Sequence, residues 1–262
     1  MDYRRHAPAP RLTGLVEHYW SVISPAPPGP LRAVLVPNGR GTIQFCLGRP
    51  GRRFAADTPA RENADVYLPT GTASMVIEQE GPSHYVGIQF TPWGARTLFP
   101  RAPEQPAQVV DAIGPLPAKD ALAEDPAREL DRWLDGFLPG QPTGSPELLA
   151  RATARIDAAP SAVDVGSLTG ELAVAASTLY RAFRRGIGLS PKQYLQVMRH
   201  RAFTDALLAE AGGLPTALLA ALSGYADQSH ASRDFTRFTG MTATAFRDTY
   251  DGIARLMAPS AG

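Results

Sequence analysis

The sequence has few residues of several chemically reactive kinds. Its 262 residues include one cysteine, Cys46, and two lysines, Lys119 and Lys192. A single thiol excludes an internal disulfide and a multi-cysteine metal site, so we interpret Cys46 as a small core residue, with a reactive thiol as the alternative. No stretch approaches the roughly 18 apolar residues of a membrane helix, and the N-terminus has no apolar segment typical of a signal peptide. We therefore expect a cytoplasmic protein with no membrane partner.

Proline is scarce in the second part of the chain. Of the 25 prolines, 21 lie within residues 1–146. Because helix interiors exclude proline, the residues that follow are predicted to be largely helical. A stretch rich in Pro, Gly and Ser separates the two parts, which is typical of a linker. We predict a first domain at 1–140, a linker at 141–147, a second domain at 148–252 and a tail at 253–262.

The first domain contains short apolar runs rich in β-branched and aromatic residues. Gly, Pro or Asn bounds each run, which is typical of strands. The runs are LRAVLVP (31–37), GTIQFCLG (41–48), DVYLP (65–69), SMVIEQ (74–79) and HYVGIQFT (84–91). They predict a small β-barrel or sandwich.

A helical extension is predicted after the strands, over residues 119–138. Leu130, Trp133, Leu134 and Phe137 recur at spacings of three and four. These spacings place them on one face of a helix. Packing of this face against the barrel and contact in a dimer are the two interpretations.

Helix signals follow one another closely in the second domain. Asp164 is a candidate N-cap, and Ser190 followed by Pro191 is typical of a helix start. Helices are predicted over 146–158, 165–173, 176–187, 192–211, 215–222, 228–238 and 242–250. A short helix, a tight turn and a second helix outline a helix-turn-helix, and this pattern occurs twice, at 165–185 and 215–238. The predicted fold class is therefore α+β: a small β-barrel or cupin-like domain with a helical extension, then an all-α domain in which a long helix joins two helix-turn-helix units.

Three blocks of the second domain carry a resemblance to a known family. They are STLYRAFRRGIGLSPKQYL (177–195), MRHRAFTDALL (198–208) and LLAALSGYADQSHASRDFTRFTGMTATAFR (218–247). In this order they resemble the DNA-binding domain of AraC/XylS-type transcriptional regulators, over about residues 148–250. The resemblance implies a sequence-specific regulator and not an enzyme. It also implies that recognition helices at 176–187 and 228–238 enter adjacent major-groove segments of double-stranded promoter DNA.

Four positions depart from the family pattern. Thr169 stands where the first unit usually has Ala, and Ala175 replaces the Ser that usually caps the first recognition helix. In the second unit, Ala231 replaces a Phe that usually packs, and Ala243 replaces a usual Pro. We therefore expect a missing cap in the first unit, which costs about 0.5–2 kcal/mol, and looser packing in the second.

Side chains along the two recognition helices are the candidate DNA contacts. These residues follow from the way a recognition helix lies in the major groove and from the positions that match the family pattern. They are Ser177, Thr178, Tyr180, Arg181, Arg184 and Arg185 in the first unit, and Gln228, Ser229, His230, Arg233 and Arg237 in the second. Arg pairs bidentately with guanine and Gln with adenine. For any one of these residues, surface exposure without a DNA partner is the alternative.

The net charge of +1 is low for a protein that binds nucleic acid. The charge is unevenly distributed, however. Residues 165–201 contain six basic residues against Glu171, whereas residues 202–250 contain three basic residues against five acidic ones. We therefore predict that the first unit dominates the attraction to phosphates. Asp227 and Asp234 either weaken the second unit or act locally, as a helix cap and as an ion-pair partner.

The first domain has a looser resemblance to the same family. Segments at 19–22, 37–48, 67–71 and 86–99 resemble the N-terminal domain of one branch. The resemblance implies a domain that binds a small-molecule effector, forms a homodimer, or does both, with RNA polymerase as a partner if the protein is an activator. It implies no cofactor. Four aromatic residues are interpreted as either pocket-lining or core residues: Trp20, Phe45, Phe90 and Trp93.

Two other functions compete with that of a regulator. A metal-dependent enzyme on the barrel would use His18, Glu78 and His84, although no H-x-H pair or helical ligand spacing accompanies them. An interaction protein that kept the fold and lost DNA binding is favoured by the net negative charge of the second unit. We expect no catalytic residue and no metal site.

Overall fold

The computed structural model describes residues 1–25, 29, 31–55, 58–139, 146–209 and 216–249. Within these ranges, the part before residue 140 contains the strands and the part after it is helical, so the α+β prediction is confirmed. The strands are β1 (Asp2–His6), β2 (Val16–Ser24), β3 (Leu31–Leu35), β4 (Thr42–Cys46), β5 (Gly51–Phe54), β6 (Arg61–Asn63), β7 (Val66–Leu68), β8 (Met75–Gln79), β9 (Ser83–Phe90) and β10 (Ala107–Gln108).

The strands form two antiparallel sheets. The larger sheet has the order β1-β2-β9-β4-β7-β10, and the smaller has the order β3-β8-β5-β6. Each of the five predicted runs contains a strand. β1, β2, β5, β6 and β10 lie outside those runs. Among them β2 is central, because it pairs with β1 on one side and with β9 on the other.

The two faces of the larger sheet differ in polarity, because side chains alternate along a strand. The apolar face carries Tyr19, Ile43, Phe45, Val86, Ile88 and Phe90, each fully buried. The polar face is turned toward the smaller sheet. Gln44 Nε2 donates to Asn63 Oδ1 at 2.8 Å, and the Tyr85 hydroxyl donates to Gln79 Oε1 at 3.0 Å. The two sheets therefore meet across hydrogen-bonded polar side chains.

Helices cover the apolar face of the larger sheet. They are α1 (Gly94–Leu98), α2 (Val109–Ala112), α3 (Lys119–Glu124) and α4 (Pro126–Asp135). The helical extension predicted over 119–138 is confirmed, and it consists of two helices, α3 and α4. Asp125 ends the first and caps the second, accepting from the Arg128 N–H at 3.1 Å, and Pro126 occupies the first turn of the second.

The apolar stripe of the helical extension packs against the sheet. Leu130 and Leu134 are fully buried in the same cluster as the sheet's apolar face. The Trp133 ring meets Phe45 edge-on, with 5.5 Å between the ring centroids, and lies 5.0 Å from Phe137. The interpretation that this stripe packs against the barrel is confirmed.

The second domain contains the predicted helices, within about two residues at each end. They are α5 (Pro146–Ala158), α6 (Val165–Leu172), α7 (Ala176–Gly186), α8 (Pro191–Ala209), α9 (Thr216–Leu222), α10 (Gln228–Thr239) and α11 (Ala243–Thr249). Most of the predicted linker and all of the predicted tail lie outside the described residues. Among the helices of the described ranges, none is long and apolar enough to cross a membrane.

Arg40 joins the two domains. It lies between β3 and β4, and its side chain is 16% exposed. The guanidinium donates to Glu17 Oε1 at 2.9 Å, to Asp157 Oδ2 on α5 at 2.7 Å, and to the hydroxyl of Tyr194 on α8 at 3.1 Å. Tyr194 donates in turn to Asp157 Oδ1 at 2.9 Å. A cation of the barrel therefore neutralises a carboxylate of the helical domain in a largely buried network.

The α6–α7 half of the helical domain also contacts the barrel through Trp93 and Gly188. Trp93, just before α1, packs against the cluster formed by side chains of α5, α7 and α8. Gly188 follows α7 and has a φ of +91°, and a Cβ there would lie 2.8 Å from Arg96 Nε. Arg96 therefore lies against the backbone just beyond the end of α7.

The α9–α10 half contacts the smaller sheet and the loop that precedes β8. Val34 of β3 and Val76 of β8 belong to the same buried cluster as Phe235 of α10. The backbone N–H of Ser74 donates to the carbonyl of Phe238 at 2.8 Å. The C-terminal end of α10 is therefore tied to the barrel by a backbone hydrogen bond.

We expect Arg40→Leu to lower the free energy of unfolding by about 2 kcal/mol or more, because it leaves the largely buried carboxylate of Asp157 without its cation. Arg11→Leu is the matched control, since the ion pair of Arg11 with Asp135 is exposed and such pairs contribute little. Urea unfolding of both variants is the measurement. If the free energy of unfolding falls no more in Arg40→Leu than in Arg11→Leu, the role assigned to the network is contradicted.

Candidate nucleic-acid interface and interdomain cavity

The first helix-turn-helix unit is formed by α6 and α7. Asp164 begins α6 with a capping box: its carboxylate accepts from the Ser167 N–H at 2.9 Å, and the Ser167 hydroxyl accepts from the Asp164 N–H at 3.1 Å. Hydrogen bonds from the Ser167 and Gly166 backbone hold the Asp164 pKa below its ordinary value. Ala173 ends α6 with a φ of 54°, a left-handed conformation that costs an L-residue about 1–2 kcal/mol. This turn directs the chain into α7.

Helix α7 has one buried and one exposed face. Leu179 and Phe183 are fully buried in the core of the domain. The predicted contact residues of this unit all lie on the exposed face: Ser177, Thr178, Tyr180, Arg181, Arg184 and Arg185. Arg184 Nη1 donates to the Gly188 carbonyl at 2.7 Å, just beyond the C-terminal end of α7. Apart from Leu179, the side chains of the N-terminal half of α7 are exposed to solvent.

The second unit is formed by α9 and α10. Asp227 caps α10 and accepts from the His230 N–H at 2.7 Å, and Gly240 ends the helix with a φ of 75°. Ala231 and Phe235 are fully buried. The predicted contact residues of this unit are all exposed: Gln228, Ser229, His230, Arg233 and Arg237. Both recognition helices therefore combine a buried apolar stripe with an exposed polar face.

The acidic residues of α10 act locally. Asp227 is the helix cap, and Asp234 lies 3.1 Å from Arg237 and 3.7 Å from His230. The interpretation of these two residues as a cap and an ion-pair partner is confirmed. They satisfy neighbouring groups of the protein, so they do not require a separate function.

The number of basic residues in 165–201 is larger than the number of exposed positive side chains in the first unit. Arg199 donates to the backbone carbonyls of Pro160 and Val163, each at 2.9 Å. Arg201 pairs with Asp205 at 2.8 Å, and its side chain is 15% exposed. Among the six basic residues of 165–201, the exposed ones are Arg181, Arg184, Arg185 and Lys192. The predicted excess of positive charge is therefore smaller, and it is concentrated on α7 and the first turn of α8.

Helix α8 joins the two units. Its 19 residues span about 28 Å, close to the roughly 34 Å between successive major-groove segments on one face of DNA. His200 lies near its middle, fully buried, and stacks on Phe238 of α10 with 4.5 Å between ring centroids. Burial, with Arg237 and Arg201 nearby, lowers the His200 pKa to about 3. This stacked ring fixes α10 against the joining helix.

A cavity of about 700 Å³ lies between the barrel and the helical domain. Its lining from the barrel includes His18, Trp20, Arg53 and loop residues 69–75, and its lining from the helical domain includes Gly188, Leu189, Thr204 and Leu208. Burial, with Arg5 nearby, lowers the His18 pKa to about 4, so this imidazole is neutral at neutral pH. The cavity is large enough for a small organic ligand.

The four aromatic residues considered for a pocket divide between core and cavity. Phe45 and Phe90 lie in the core on the apolar face of the larger sheet, and Trp93 packs into the helical domain. Trp20 lines the cavity but is itself 4% exposed, in a buried cluster with Cys46 and Tyr85. The sequence signal for a polar inner face is the alternation in TIQFC and SHYVGIQF, which places Gln44 and Gln89 there, and Gln89 lines the cavity.

The residues considered for a metal site do not converge. Within the ranges that the structure describes, no group of three or more His, Cys, Asp or Glu side chains is placed to hold a metal ion. Glu78 lies 3.5 Å from Arg32 in an ion pair. Cys46 is buried, as predicted, and burial raises the pKa of its thiol.

The fold, with a β-rich domain ahead of two helix-turn-helix units, is similar to that of solved structures of ToxT. ToxT from Vibrio cholerae is 9% identical, with 89% of this chain aligned to 99% of that chain and a TM-score of 0.51. ToxT from V. cholerae strain SCE256 with a bound unsaturated fatty acid is 9% identical over 88% of this chain and 99% of that chain, with a TM-score of 0.50. At this identity the likeness establishes the fold.

Family models match the two domains separately. Residues 168–249 match a helix-turn-helix domain, and residues 4–109 match a domain of unknown function, DUF6597. The C-terminal domain of AraT, a response regulator from Geobacillus stearothermophilus, is 25% identical over 39% of this chain and 84% of that chain, with a TM-score of 0.37. A comparison with curated proteins gives no match. The helical domain is a helix-turn-helix domain of the AraC type, so the resemblance is confirmed, and it supports a DNA-binding transcriptional regulator.

Ala175 is the N-cap residue of α7, and it provides no side-chain cap, as expected. Ala175→Ser should raise the free energy of unfolding by about 0.5–2 kcal/mol, because a serine hydroxyl accepts from an unpaired N–H of the first turn. Asp227→Ala removes the cap of α10 and should lower the free energy of unfolding by a similar amount. Chemical denaturation measures both. Equal stability of the wild type and Ala175→Ser contradicts the assignment of this position as an unfilled cap.

His200 should make the protein less stable as the pH falls. The unfolded imidazole binds a proton near pH 6.5, whereas the buried ring stays neutral down to about pH 3. The unfolded state therefore binds more protons between these values, and the free energy of unfolding falls by about 2 kcal/mol between pH 7 and 5. His200→Leu should lack this part of the loss. Urea unfolding of both proteins at the two pH values is the measurement, and an equal loss in both contradicts the prediction.

Proposed function

We propose that the protein is a transcriptional regulator that binds double-stranded promoter DNA with both recognition helices. The observation that carries the proposal is that the predicted contact side chains are all exposed, on two helices whose opposite faces are buried. Helix α7 enters one major-groove segment and α10 enters the next, with α8 between them. Arg181 and Gln228 lie in the N-terminal halves, where side chains reach base edges, and Arg185 is placed for phosphate.

The first unit anchors the complex. Arg181, Arg185 and Lys192 are exposed, and none of the three has a carboxylate partner within the described residues. On α10, by contrast, Arg237 is paired with Asp234. Because each neutralised phosphate adds to the affinity and to its salt dependence, more of the binding free energy comes from α7 than from α10.

The interdomain cavity is the effector site of this proposal. ToxT, whose fold this chain shares, has been crystallised with an unsaturated fatty acid, which supports a small-molecule ligand for this chain as well. The cavity reaches Gly188, just after α7, and Ser74, whose N–H holds the end of α10. A ligand bound there contacts backbone next to both recognition helices, so its binding alters their positions.

Arg181→Ala should weaken binding to a specific site more than Arg233→Ala, and should lower the slope of log affinity against log salt by about 0.9. The measurement is fluorescence anisotropy at several salt concentrations, on a site identified by genome-wide footprinting with the full-length protein and with a deletion of 1–146. Arg155→Ala is the matched control, because Arg155 lies on α5, outside both recognition helices, and pairs with Glu171 on α6.

Two results contradict the proposal at different levels. A larger loss of affinity and salt slope for Arg233→Ala than for Arg181→Ala shows that the second unit is the anchor. The absence of any sequence-specific footprint, with or without the first domain, shows that the protein is not a regulator of this type.

A further inference from the structure

Five arginines line the interdomain cavity, and carboxylates neutralise three of them. The neutralised arginines and their partners are Arg40 with Glu17 and Asp157, Arg96 with Glu104, and Arg201 with Asp205. Arg53 and Arg61 have no carboxylate within salt-bridge distance among the residues that the structure describes. The cavity wall therefore contains two arginines that form no ion pair with a carboxylate in the described part of the protein.

Arg53 is the buried residue of these two. It lies on β5, where burial alternates along the strand, and it is 4% exposed. In the described ranges its Nη1 donates to the backbone carbonyl of Glu62. Burial and the nearby charge of Arg61 lower its pKa, and the charge of Glu62 opposes this shift in part. A guanidinium in a buried wall is stabilised when an anion replaces the water that it has lost.

Trp20 of β2 also lines this cavity, but its indole Nε1 is enclosed by the protein. A ligand in the cavity therefore cannot accept from this N–H, and Arg53 is the buried donor on which the inference rests.

We propose that this cavity binds a small organic anion whose charged group lies at Arg53. The apolar part of the ligand lies against Leu35, Met75 and Leu208, which also line the cavity. The inference rests on the proposed function, because it names the chemical class of the ligand at the proposed effector site.

The first test uses the full-length wild-type protein and the fluorescent anion 8-anilinonaphthalene-1-sulfonate as a probe. Carboxylates of about four to twelve carbons, which fit a cavity of this size, compete with the probe, and each is compared with its primary amide. We expect the best carboxylate to displace the probe at a concentration about tenfold lower than its amide. Equal displacement by acids and amides, or none by either, overturns the proposal. Inorganic phosphate should displace little, and displacement by phosphate as strong as by the best carboxylate also overturns it.

The second test compares neighbouring arginines of β5. Arg52 is exposed on the other face of the strand, so Arg52→Met is the control for Arg53→Met. We expect Arg53→Met to weaken displacement by the best carboxylate about tenfold or more and to remove its advantage over the amide, with no change for Arg52→Met. Arg53→Lys keeps the charge and should keep the advantage, which preserves the test if Arg53→Met does not fold. A similar loss in the Met variants of both positions overturns the assignment to Arg53.

Asp57 is the acidic residue nearest to Arg53 in the sequence, and it lies outside the described residues. Asp57→Asn tests whether this carboxylate neutralises Arg53. We expect Asp57→Asn to bind carboxylates as the wild type does. If Asp57→Asn prefers carboxylates and the wild type does not, Asp57 neutralises Arg53 in the wild type. That result overturns the proposal.

Anion binding is measured without DNA, so its failure can be distinguished from failure of the proposed function. A wild-type protein that gives a specific footprint but prefers no carboxylate is a regulator with a different effector. A protein that prefers carboxylates through Arg53 but gives no footprint binds an organic anion without acting as a regulator.

Discussion

The contact of Arg40 with Asp157 is the interaction on which the arrangement of the two domains depends. A guanidinium from a loop of the barrel reaches α5 and α8 at once, and Tyr194 completes the network with hydrogen bonds to both charged groups. Gly39 permits this approach, because a Cβ there would lie 2.7 Å from the Tyr194 ring. The cavity has walls from both domains, so this network holds its walls in place, together with the contacts that Trp93 and Ser74 make to the helical domain.

The second constraint is the alternation of side chains in the larger sheet. Its apolar face is covered by α1–α4, which leaves the polar face for the space between the sheets. The interior of this barrel is therefore not the main core. Gln44 donates to Asn63 there and Tyr85 donates to Gln79, and Arg53 lines the cavity. A fold that places its core outside the barrel keeps a polar interior without losing hydrophobic stabilisation.

The helical domain was predictable because its signals are local. Asp164 as a cap, Ser190 with Pro191 and the spacing of Leu179 and Phe183 determine where helices begin and which faces are exposed. The strands were less predictable because pairing depends on distant residues, and the adjacent arginines of β5 carry no apolar pattern. Contacts between the domains left no local signal at all, since Arg40 and Asp157 are 117 residues apart. The same is true of Arg199 and Arg201, whose charges are absorbed by tertiary contacts that a regional sum does not reveal.

Both recognition helices are held at the end away from the side chains proposed to read bases. Phe238, near the C-terminus of α10, is bound by Ser74, and the backbone beyond α7 lies against Arg96. With 12 residues, α10 is about 18 Å long, so a tilt of about 3° around its fixed end moves the N-terminal side chains by about 1 Å. A hydrogen bond tolerates a range of only about 0.5 Å. Under the proposed function, a small displacement of the cavity wall at these held ends would shift the N-terminal side chains enough to make or break their contacts with DNA.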